Sequence, residues 1–310
     1  MTSGAQIPAD SIDSVANDVA GVSLYRQGTP PIGDAAFRLL ATASGASIVV
    51  MIALLVMVLA HSAMPSFKTF GVKFLTTSTW RPNELVHTKR TPTGKIVRDA
   101  DGEPVTETIP PVFGAAPVIF GTAVSSALAL FFAIPLSFGA ALFLVRIAPR
   151  WMVPPASFLI EFLAAIPSIA YGLWGLFVLS PVLQSVIEPA LNAMFARIGF
   201  LRVFHADALS GRDMLCAGLI VAIMIVPIIT AISRDVLRAV PRTQIEGTMA
   251  LGATWWQSAW GMLRYARSGL FGAVMLGLAR AAGETMAVAM VIGNVPEIHA
   301  TPFAAAQTMA

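Results

Sequence analysis

Arg280 and Glu284 lie four residues apart in a run that is otherwise apolar from Leu270 to Ile292. Eleven residues separate Gly269 from Arg280. That is roughly 16 Å at the helical rise, which places Arg280 near the middle of a hydrocarbon layer about 30 Å thick. A guanidinium at that depth costs about 2.5–3.5 kcal/mol, so it faces a cavity, a partner charge or an anion. Glu284, four residues on, is expected on the same helix face, although arginine-first is the weaker order for a simple helix-stabilising pair. Two readings follow. One is a structural ion pair locking two helices together. The other is a pathway for an anion, with Arg280 attracting it, Glu284 holding the arginine in place and Thr285 beside them.

The stretch just upstream, Glu246 to Trp260, is polar and aromatic. It is expected to form two short helices broken near Gly252-Ala253, because glycine is a poor helix former and permits a turn. Met249, Leu251, Trp255, Trp256 and Trp260 would leave an apolar surface there. Exposed tryptophan suits a protein interface and a membrane surface equally well.

These residues must be positioned by membrane helices. The chain has 310 residues, 56% of them hydrophobic and 12% charged, with mean hydropathy +0.75. A soluble domain is nearer 25% charged, so the fold class is an all-α polytopic membrane protein. The net charge of +3 reflects Lys- and Arg-biased loops, and no basic stretch carries the aromatic spacing that binds nucleic acid. Cys216 stands alone, which excludes an internal disulfide and a thiolate metal site. His61, His87, His205 and His299 never reach metal-ligand spacing, and the methionines read as packing. The words TPTGKI around Lys95 lack the first glycine and the Ser/Thr of a phosphate loop. Catalysis and nucleotide hydrolysis are therefore assigned to some other chain, and no cofactor is expected in this one.

In order, residues 1–33 read as a polar tail without the apolar core of a signal peptide. Residues 34–60 read as the first transmembrane helix and 61–117 as an extracytoplasmic loop. Within that loop KIVRDADGEPVTET predicts a small β-hairpin turning at Asp101-Gly102. The core spans 118–294. Its segments are expected at Val118–Val145 with Pro135 inside, Pro155–Leu179 with Glu161 and Pro167 inside, Met214–Ile232 and Gly269–Ile292. Glu161, near one interface, is a secondary candidate carboxylate. Residues 181–213 read as a second loop with an amphipathic helix over Val186–Phe200. The last stretch, 295–310, reads as a short tail that Pro296 and Pro302 keep from crossing again, as a truncation would leave it. That makes about five crossings.

With the N-terminus inside, nine Lys and Arg face inward and ten outward, so the raw tally decides nothing. The orientation rule weights short loops near the membrane. Arg146, Arg150 and the cluster from Arg234 to Arg267 are the concentrated ones, which puts the N-terminus and the 246–260 loop in the cytoplasm.

Glu246-Gly247-Thr248 followed by Gly252 resembles the E-A-A loop of ABC-importer permeases. ALGATWW, ARSG, GLARAAGETMAVAMVIGN and, upstream, EFLAAIPSIAYGLWG are similar to the phosphate-specific permeases of the PstC type, from about Val118 to Asn294. Gly247-Thr248 in place of two alanines, Arg264 in place of a proline and the missing sixth helix are departures. The resemblance implies a permease subunit of an ATP-driven phosphate importer in the bacterial inner membrane. Its partners would be a second, homologous permease subunit (PstA type), cytoplasmic ATPase subunits that bind the ATP, a periplasmic phosphate-binding protein and membrane lipid. It implies ATPase docking through Glu246, Gly252, Ala253, Thr254 and Trp256, and a substrate path at Arg280, Glu284 and Thr285. A gradient-driven anion transporter, and a permease for sulfate, molybdate or phosphonate, remain alternatives at this point.

Overall fold

A computed structural model describes residues 32–81, 85–88, 106–109, 111–198 and 209–309. Most of the N-terminal tail, Lys95, the expected turn at Asp101-Gly102 and His205 lie outside them. The chain divides into two units, Met1–Thr69 and Phe70–Ala310.

The first unit is dominated by α1 (Ile32–Phe70), a helix of 39 residues whose end runs into the second unit. At about 58 Å it is nearly twice the hydrocarbon thickness, and it runs ten residues past the end expected at Ala60. It passes through Pro65, which donates no hydrogen bond, and Thr69 Oγ1 donates to the Pro65 carbonyl one turn on (2.9 Å).

In the second unit α2 (Lys73–Thr76) precedes two short strands, β1 (Leu85–Thr88) and β2 (Thr106–Ile109). These pair antiparallel with Leu85 opposite Ile109, so β2 joins a first strand upstream of the one expected from the sequence. The helices follow as α3 (Ala116–Arg146), α4 (Val153–Ala165) and α5 (Ser168–Trp174). α5 continues through two π-helical stretches, Gly175–Leu179 and Leu183–Ile187, into α6 (Glu188–Arg197). Then come α7 (Met214–Arg238), α8 (Arg242–Ala250), α9 (Trp255–Tyr265), α10 (Arg267–Ala282) and α11 (Met286–Val291). Among the described residues four helices are long and apolar enough to cross a bilayer: α1, α3, the rod Ser168–Met194, and α7.

Three expectations are corrected here. The third segment does not run through Pro167 as a kinked helix. Ile166 and Pro167 leave the helical region (ψ 131° and 139°), as proline imposes on its predecessor and as a cap requires, and they separate α4 from α5. Nor is the chain a loop from 181 onward, because the rod continues to Arg197. Pro181 and Pro189 each follow a π-helical stretch and sit at the start of the next α stretch, where a missing N–H costs little. Finally, 295–309 is no free tail. Met214 and Leu215, whose amides have no partner inside α7, donate to the Ala304 and Pro302 carbonyls (3.2 and 3.0 Å). Met309 N–H donates to Thr122 Oγ1 (2.9 Å), and Phe303 is buried.

α7 is the centre of this unit. Its buried face, including Ile220, Ile225 and Ile229, meets α3, and Ala129 and Ala133 of α3 are wholly buried against it. Small residues let helices approach closely where lipid offers no hydrophobic contrast. A Cβ at Gly277 of α10 would lie 2.6 Å from Ile229, and one at Gly172 of α5 would lie 2.9 Å from the Ala287 Cα of α11. These contacts fix α10 and α11 against the core.

Candidate functional site

The loop between α7 and α10 folds as a helical hairpin, as its glycine suggests. α8 ends at Ala250, and Gly252 takes φ +84°, a left-handed conformation that favours glycine. Thr254 then opens α9 with a capping box: its N–H donates to Gln257 Oε1 (2.8 Å), while Gln257 N–H donates to Thr254 Oγ1 (3.4 Å). Thr248 and Ser258 hydroxyls link the two helices at 3.2 Å. The base is held by Ala259 and Met262, buried against Leu237 of α7 and Leu142 of α3. The Arg146 guanidinium stands 5.9 Å from the Trp255 ring, a cation–π contact worth about 0.5–1 kcal/mol. Glu246 lines a cleft of about 350 Å³ with Arg146, Arg238 and Arg242. The tip is open: Leu251 is 91% exposed and Trp256 70%. Of the residues singled out, Glu246, Gly252, Ala253, Thr254 and Trp256 thus share one projecting element. Thr254 also has a structural duty as a cap.

Arg280, Glu284 and Thr285 are arranged differently from the expectation. The run 269–292 is not one helix, because it breaks at Gly283. Arg280 lies in the last turn of α10, exposed, and a cation is favoured at a helix C-terminus. Glu284 is 8% exposed and turns to its own backbone, its Oε1 accepting the Ala287 N–H (3.3 Å). Thr285 is exposed at the start of α11. No ion pair joins Arg280 and Glu284, so the same-face reading is corrected. The physical reason is local: after Gly283 the Glu284 carboxylate accepts from the backbone of a new helix instead of continuing the old one.

Glu161 does have a cationic partner. Its Oε1 lies 3.7 Å from Nη2 of Arg234, which is nearly buried in α7 and also donates from Nε to Asp235 Oδ1 (3.0 Å). This pair ties α4 to α7. A second acidic feature went unforeseen. Glu188 and Asp213 are both fully buried and within hydrogen-bonding reach of each other. Gly211 N–H donates to Glu188 Oε2 (3.3 Å) and Cys216 N–H to Asp213 Oδ1 (2.8 Å). Glu188 Oε1 and Asp213 Oδ2 find no donor among the described residues, so a proton held between the two carboxyls satisfies both. Asp213 as the N-cap of α7 was legible from Asp before an apolar run; its partner, 25 residues upstream, was not.

Burial pushes the Asp213 carboxyl well above the usual carboxylate range, with the Glu188 charge adding to the rise. The folded chain therefore keeps a proton that the unfolded chain loses near pH 4. Stability should fall as pH rises from about 4 toward that raised value. Asp213→Asn, which keeps the cap acceptor, should flatten the curve, while Asp213→Ala should lose about 1 kcal/mol or more through the cap alone. Unfolding in detergent across pH checks both.

No family model matches the chain. It is 40% identical over 237 residues to the phosphate transport system permease protein PstC of Pasteurella multocida, covering 76% of this chain and 66% of that protein. The PstC of Mesorhizobium japonicum is 38% identical over 277 residues, 89% of this chain and 77% of that protein. PstC 2 of Mycobacterium tuberculosis is 37% identical over 264 residues, 84% of this chain and 73% of that protein. The chain thus spans about two thirds to three quarters of the length of these relatives.

Proposed function

The chain belongs to the PstC family of phosphate transport system permease proteins, and on that premise we propose that it is the membrane subunit through which an ATP-driven importer moves phosphate inward. The α8–α9 hairpin carries this reading. A projecting pair of helices with Leu251 and Trp256 uncovered, packed at its base against α3 and α7, can pass a push from a soluble partner to the membrane helices. That partner is a cytoplasmic ATPase that binds and hydrolyses the ATP, so this chain needs no cofactor of its own.

α10 and α11 together form the fifth crossing, as a broken helix. Transporters use such breaks near the membrane centre to present helix ends to a substrate. Arg280 is the attractor there, with Thr285 beside it and Glu284 holding α11 in place. A second permease subunit covers the exposed side of Arg280, and a periplasmic phosphate-binding protein delivers the anion. The setting is the bacterial inner membrane with the N-terminus inside.

The test separates energy sources. Proteoliposomes holding the complete complex should take up labelled phosphate when ATP is supplied on the ATPase side, and should not when only a proton gradient is imposed. Gradient-driven uptake without ATP would replace this reading with a secondary transporter.

A further inference from the structure

α3, α9 and α10 enclose a groove of about 450 Å³ whose lining changes character along its length. At one end stand Arg264 and Arg267, both exposed and without an ion-pair partner among the described residues, with Trp260 next to them. The rest of the wall is apolar: Leu263 of α9, Leu270, Phe271 and Val274 of α10, and Phe138 and Ile134 of α3. Val274 lies seven residues beyond Arg267, about 10 Å along its helix, and Ile134 lies twelve residues before Arg146 at the end of α3, about 18 Å along. The apolar wall therefore runs down the helix axes into the hydrocarbon layer, and the two cations remain at its mouth.

An apolar groove alone would accept any acyl chain. Two guanidinium groups at its mouth add a preference, since each offers a planar fork of donors that matches phosphate oxygens. Tryptophan beside them suits the headgroup level. We propose that this groove binds one anionic phospholipid, its acyl chain along Phe138, Leu270, Phe271 and Val274 and its phosphate on Arg264 and Arg267. The site sits where the hairpin joins the membrane, so a bound lipid would brace α9 against α10 and α3.

Native mass spectrometry of the intact detergent-purified complex, titrated separately with phosphatidylglycerol and phosphatidylcholine, tests this without measuring transport. The expected result is one tight phosphatidylglycerol for each copy of this chain and much weaker phosphatidylcholine. Arg264→Gln with Arg267→Gln should weaken phosphatidylglycerol on the order of thirtyfold, from about 1 kcal/mol per cation. The paired Lys variant should retain most of the binding, and Val274→Trp, which fills the groove, should weaken it with both arginines intact. Equal binding of the two lipids, an unchanged Gln variant, or displacement of the lipid by inorganic phosphate would overturn the proposal. So would a groove that takes up no lipid because a protein subunit covers it.

Discussion

Arg280→Ala is expected to cut phosphate uptake by about a hundredfold while the complex still assembles at its normal yield. A hydrogen bond to a charged group contributes about 1.5–3 kcal/mol, and a guanidinium can make two to one phosphate. Losing both in a site partly closed to water is therefore worth about two orders of magnitude at the low end of that range. Assembly should survive, because Arg280 is itself exposed at the end of α10 and the packing of that helix rests on the small residues Ala273, Gly277 and Ala281. The geometry also separates the two members of the charged segment. Glu284 supports α11 through an acceptor oxygen, which glutamine also supplies. Glu284→Gln should keep most of the uptake and Glu284→Ala should lose it with some stability. Equal loss in the Gln and Ala variants would mean that the negative charge itself is required. Uptake and yield measured side by side give all three answers.

Trp256→Ala is expected to weaken association with the ATPase by on the order of thirtyfold, at unchanged thermal stability. Truncating a buried interface tryptophan typically costs about 2 kcal/mol or more, whereas at 70% exposure in this chain its removal leaves no cavity. Gly252→Asp acts by another route. Space around Gly252 is open, so the penalty comes from φ +84° alone, about 1–2 kcal/mol for a residue with a Cβ. That is too little to unfold the unit, but it bears on the turn that sets the angle between α8 and α9. Glu246→Lys alters the cleft shared with Arg146, Arg238 and Arg242, and it too should reduce co-purification. Normal co-purification of all three variants would detach the hairpin from the ATPase.

What could be read from the chain alone follows how local its causes are. The apolar runs that became α3 and α7 announce themselves by composition, and their ends fall at Arg146 and Arg238, a few residues from where hydropathy puts them. Gly252 marks the hairpin turn because only the backbone is needed to explain it. The rod from Ser168 outlasts the segment expected to end at Leu179, because the stretch from Pro181 and the amphipathic helix expected over Val186–Phe200 continue it without a loop between. What rescues the helix there is partly π-helical geometry before each proline. The other part is distant in the chain: the carboxyl of Asp213 meets that of the buried Glu188. The break at Gly283 was hidden by the opposite error. Four-residue spacing suggested an ion pair, whereas the Glu284 carboxylate serves the backbone of the next helix instead. The C-terminal stretch lacked any periodic signal, since its acceptors serve the first turn of α7.

The most direct measurement is labelled phosphate uptake into proteoliposomes carrying this chain with its partner subunits, compared between wild type and Arg280→Ala with ATP present. The expected outcome is robust uptake by the first and a rate near background for the second, with equal amounts of assembled complex in both membranes. Matching rates would place the anion's route somewhere other than the end of α10.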